Sequence, residues 1–77
     1  MNVDLAMTAL DGIARSPITI AAQANEIVIS GSPASLKELA RLCLLVAADA
    51  DDGDYFELQR NTHLTGASPA LRVKVSA

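Results

Sequence analysis

The stretch "SGSPASLKELARLCLLVAADA", residues 30–50, constrains the fold more than any other part of the chain. Ser32 followed by Pro33 is a helix start: the serine oxygen can accept an orphan N–H of the first turn, and proline at the first helical position loses no hydrogen bond there. The spacing predicts a helix over 33–50, about 27 Å long at 1.5 Å per residue. At 100° per residue, Leu36, Leu39, Cys43, Val46, Ala47 and Ala50 fall on one stripe, with Lys37, Glu38 and Arg41 away from it. Leu45 falls opposite the stripe, beside Glu38, Arg41 and Asp49. It is either a singly exposed leucine or a contact for a second subunit.

Around this helix the apolar period changes from 3.6 to 2, as in half-buried strands. Ile18, Ile20 and Ala22 alternate in "SPITIAAQ", and Ile27 and Ile29 in "NEIVIS". Phe56 and Leu58 do so in "DYFELQ", and Leu71, Val73 and Val75 in "ALRVKVS". "QAN", residues 23–25, is short enough for a hairpin turn. "RNTHLTGASP", residues 60–69, is a longer loop punctuated by Gly66 and Pro69. The expected architecture is α+β: a two-layer sandwich ordered strand–strand–helix–strand–strand, with one long helix on one face of a four-stranded sheet. Residues 17–77 form the core of a single domain, 1–77. Residues 1–16 are an N-terminal extension: Val3, Met7, Leu10 and Ala14 have helical spacing, but Asp11-Gly12 reads as a turn. A short helix or a loosely docked arm fits both signals.

Seventy-seven residues with one Phe, one Tyr and no Trp leave only a thin aliphatic core, and oligomerisation is one ordinary way for so small a domain to gain burial. Cys43, the single cysteine, cannot form an internal disulfide, which points to a reducing, cytoplasmic location. The start has no basic leader and no long apolar stretch, so no secretory signal is expected. The longest apolar run, residues 42–48, falls far short of the roughly 20 residues that span a bilayer. Nine acids against six bases, with few aromatic rings, argue against nucleic acid as a partner.

Four aspartates crowd into "DADDGD", residues 49–54. No register of an EF-hand loop fits: with Asp49 at position one, glycine arrives at position five, and with Gly53 at six, position one is Ala48. Gly53 is expected to supply the left-handed residue that ends the helix. The acids stand at a helix C-terminus, whose partial negative charge disfavours them by about 0.3–1 kcal/mol each. They serve solubility, or form an acidic surface for a basic partner. His63 has no second histidine or cysteine near it in sequence, so no metal site is expected, and Cys43 on the stripe reads as packing. "SGSP" lacks the lysine and glycine pattern of a phosphate loop. No catalytic constellation and no cofactor site is expected.

The segment 17–77 resembles a family of small bacterial immunity proteins, family thirty-two of those paired with polymorphic toxins. The likeness is carried by "NEIVISGSPASLKELARL", "YFEL", "HL" and "SPALRVKV". The matching positions are Ile27, Ile29, Gly31, Leu36, Leu39, Ala40, Leu58, Leu64, Ser68, Leu71, Val73 and Val75. The resemblance implies an α+β protein without catalytic residues that binds and neutralises a cognate toxin, often a nuclease. The residues expected to meet that partner are Asp49, Asp51, Asp52, Asp54 and Glu57, with Tyr55 as an aromatic anchor. The alternative is a small homodimeric structural or regulatory domain, with Leu45 and the open sheet face or edge as its contact.

Overall fold

A computed structural model describes residues 2–48 and 51–76. The order is α1 (Val3–Arg15), β1 (Thr19–Gln23), β2 (Glu26–Ser30), α2 (Pro33–Ala47), β3 (Tyr55–Leu58) and β4 (Leu71–Lys74). The strands lie where period-two alternation put them, but on β2 the expected inward residues Ile27 and Ile29 are exposed and Val28 is the half-buried one. The strands do not join into one sheet, and the long helix has a second helix beside it. β1 pairs only with β2 and β3 only with β4, giving two antiparallel two-stranded sheets.

The expected four-stranded sheet does not form. β3–β4 does not join β1 in one sheet because a loop occupies the outer edge of β1, and among the described residues no strand pairs with the outer edge of β2. The Ile18 N–H donates to the His63 carbonyl at 2.9 Å, and the Thr65 N–H donates to the Ile18 carbonyl at 2.9 Å. Two residues on, the Ile20 N–H donates to Ser68 Oγ at 2.9 Å, a buried bond across 48 residues of chain. Ser68 thus stands in for a strand carbonyl. Its hydroxyl also lies 3.0 Å from Thr65 Oγ1, which in turn lies 3.1 Å from Thr19 Oγ1. The segment between β3 and β4 is therefore an irregular third strand of the first hairpin.

The N-terminal segment is a full helix, against the expectation of a turn at Asp11-Gly12. Asn2 caps it, its side chain accepting the Leu5 N–H at 3.1 Å, and Asp4 and Arg15 sit at the ends their charges favour. Ala6, Ala9 and Ile13 are its buried face, while Val3 and Met7 of the anticipated row stay exposed. Gly12 is where α1 and α2 come close: a Cβ there would lie 3.0 Å from Glu38 Cγ. Three serines tie the end of α1 to the start of α2. Ser32 Oγ caps α2 by accepting the Ser35 N–H at 3.1 Å, and Ser16 Oγ donates to Ser32 Oγ at 3.2 Å. The buried Ser35 hydroxyl donates to the Ser16 carbonyl.

The wheel of α2 is rotated from the expected one by about 70°. Ser35, Leu42 and Val46 are buried and Leu39 packs against the core, but Cys43 is exposed and Leu36 partly so. Leu45 is half-buried on the flank of this face, and Leu44 is the leucine that points away from it. With Leu, Ala, Cys and Val almost all round, apolarity alone did not choose a face. The helix also ends earlier than expected, at Ala47, where the Ala48 N–H donates to the Leu44 carbonyl at 3.1 Å.

Gly53 consequently does not cap α2. With φ of 93° it serves the turn that enters β3. In that turn the Asp54 N–H donates to the Asp51 carbonyl at 3.0 Å, and the Asp51 N–H donates to Asp54 Oδ2 at 3.0 Å. The Gly53 N–H and the Val75 carbonyl (3.0 Å), and the Val75 N–H and the Asp54 carbonyl (2.7 Å), carry the β3–β4 pairing into the turn. The core joins Ala6, Ala9 and Ile13 of α1 and Leu42 and Val46 of α2 to Ile18, Ile20, Phe56, Leu58 and Leu64.

Candidate functional site

Three surfaces carry the residues singled out by the sequence. The first is the acidic turn and the outer face of β3–β4. Register places Tyr55 opposite Lys74 and Glu57 opposite Arg72, with Phe56 and Leu58 turned to the core. Arg72 joins the outer residues into one string: its Nη2 donates to Glu57 Oε2 at 2.9 Å, and its guanidinium lies 4.6 Å from the centre of the Tyr55 ring. Glu57 is therefore ion-paired rather than presented as free negative charge, and Tyr55 is exposed with a cation on its face. Asp51 and Asp54 hold the turn through their backbone and carboxylate bonds, and Asp52 completes the acidic run. Asp49 lies outside the described residues. Sequence read these acids as charge alone; the Asp54 carboxylate also does local structural work.

The second surface is the outward side of α2. Leu36, Ala40, Cys43, Leu44 and Ala47 follow at i, i+4, i+7, i+8 and i+11, the spacing of one helical face, and all are exposed. Leu44 is 74% exposed. Sequence periodicity puts Leu36, Cys43 and Ala47 on the core stripe, whereas the fold turns them outward. The clue lay in the width of the apolar arc, which exceeds what one packing face uses.

The third is an open groove of about 710 Å³ between the two helices, lined among others by Asp11, Arg15, Lys37, Glu38 and Arg41. Arg41 Nη1 pairs with Glu38 Oε2 at 3.5 Å. The lining mixes both signs of charge, on side chains that are exposed except for the half-buried Glu38, and does not converge on a reacting atom.

His63 sits half-buried in the loop that lines β1. Its Nδ1 accepts the Gln59 N–H at 3.1 Å, and its carbonyl accepts the Ile18 N–H, so both ends brace the loop that lines β1. Burial pushes its pKa below the ordinary histidine value, against an opposing pull from Asp11. The ring is neutral in this hydrogen bond, accepting through Nδ1, and it braces the loop.

Among the described residues no group of three or more His, Cys, Asp or Glu side chains is placed to hold a metal ion, and no helix is long and apolar enough to cross a membrane. No protein-family model matches the chain, and neither a curated protein nor a solved structure matches it.

Proposed function

We propose that this chain is a non-enzymatic binding module acting by direct contact with a protein partner, and that the partner is a toxin domain, as for the immunity proteins it resembles. The observation that carries the proposal is the exposed apolar row of α2. A helix whose polar arc is this narrow is ordinarily covered on both sides, and contiguous exposed apolar surface marks interaction sites. Leu44 and Leu36 are the anchors, and the small Ala40, Cys43 and Ala47 let a partner approach closely. The acidic turn at Asp51, Asp52 and Asp54 steers a basic partner toward the chain, an effect that salt weakens. Tyr55, with Arg72 on its ring, offers a rim contact.

Co-expression with a toxic domain encoded by a neighbouring gene tests this. Growth should be restored and the two chains should co-purify. Leu44→Asp should weaken the complex about 30-fold, the scale of losing a central anchor worth about 2 kcal/mol, with the circular dichroism spectrum unchanged. Asn at positions 51, 52 and 54 together should slow association at low salt. Absence of binding to any such domain would sink the proposal.

A further inference from the structure

β2 is hydrogen-bonded on one side only. Its inner side pairs with β1 from Thr19↔Ser30 to Gln23↔Glu26. Among the described residues no backbone bond leaves residues 26–30 on the other side. The phase of the open edge can be fixed. In an antiparallel pair, residues alternate between those whose N–H and C=O face the neighbour and those whose groups face away. The Ile20 N–H faces away from β2, since it donates to Ser68 Oγ. Its register partner Ile29 therefore also points its backbone groups outward, and so, two residues back, does Ile27. The free donors and acceptors of the edge belong to these two isoleucines.

That edge is self-complementary. We propose that a second copy of this chain adds to it, β2 against β2 antiparallel about a two-fold axis at Val28, making one four-stranded sheet from two hairpins. In this register Ile27 exchanges both its backbone bonds with the partner's Ile29, and Ile29 does so with the partner's Ile27, giving four bonds. Val28 meets its own copy at the close, non-hydrogen-bonded position between them. Glu26 lies opposite the partner's Ser30, so no like charges face each other across the pair.

The side chains support the same occupant. Ile27 is 73% exposed and Ile29 42%, and register puts both on the face of the sheet that carries Ile20 and Ala22. The two-fold brings the four isoleucines of two copies together. Edges that must stay unpaired usually carry lysine, proline or a bulge; residues 26–30, "EIVIS", contain neither lysine nor proline, and their pairing with β1 runs without a bulge. The area points the same way. The chain exposes 4975 Å² at a mass of 8.0 kDa, about 500 Å² more than mass scaling gives a compact monomer. That excess is spread over the whole surface, and the β2 edge with its exposed Ile27 and Ile29 is one part of it that a second copy would cover.

Sedimentation of the full chain from a few to about 100 µM tests the proposal at concentrations where a micromolar association is visible. A dimer is expected. Ile27→Lys should shift it to monomer by at least tenfold in Kd. Ile29→Pro should do the same while keeping the hairpin, because proline removes only an outward donor and is tolerated on edges. Val28→Cys, in a Cys43→Ser background, should form an intermolecular disulfide on mild oxidation, since the predicted Cα separation suits one. A strict monomer across the range would overturn the proposal. So would open-ended polymers, or a dimer indifferent to Ile27→Lys and Ile29→Pro, which would place the contact on another face such as α2.

Discussion

His63 illustrates how one side chain can be read two ways. As the only histidine in a long loop it looks solvent-bound; in the fold its Nδ1 must be unprotonated to accept the Gln59 N–H. Because its folded pKa lies below the unfolded value of 6.5, the unfolded chain takes up the proton first as pH falls. Its contribution is fully present above about pH 6.5 and is lost as pH drops through the folded pKa. Thermal melts should therefore fall in Tm between pH 7.5 and 5.5, and His63→Gln should flatten that fall. An equal slope in both proteins would show that other groups set it. The sequence held the histidine but not its partner, since a bond to a backbone N–H four residues away has no motif.

Elements were legible to different degrees, and the reasons differ. β3 and β4 alternate cleanly because one face meets the core and the other carries Tyr55, Glu57, Arg72 and Lys74. α1 was obscured by its own buried face, two alanines and one isoleucine, and by a glycine whose purpose is the approach of Glu38. α2 was visible as a helix but not in rotation, because its apolar arc is too wide to choose a side. The joining of β1 to the 63–68 loop was hidden altogether: its bonds run through a serine hydroxyl and irregular backbone, which leave no period. Ser68→Ala tests that junction. It leaves the buried Ile20 N–H without an acceptor, which should cost about 1–3 kcal/mol, read from urea denaturation with an unchanged m-value. Ser68→Thr should recover part of it if the site admits the extra methyl group.

For the whole molecule, the two surfaces proposed for contact lie on different elements, the outer row of α2 and the edge of β2. A dimer through β2 leaves both copies of the α2 row available, so a complex of two chains with two partners is the expected stoichiometry. The union of Ile18 and Ile20 with residues 63–68 has a kinetic consequence as well. These bonds join residues separated by β2, α2 and β3, so closing them carries a large loop-closure cost and they are expected to form late in folding. In deuterium exchange, the amides of Ile18, Ile20 and Thr65 should be among the slowest, at the rate of global unfolding, while the outward amides of Ile27 and Ile29 exchange quickly at low protein concentration. One hairpin would then hold both the most guarded and the least guarded protons in the protein, on strands lying side by side.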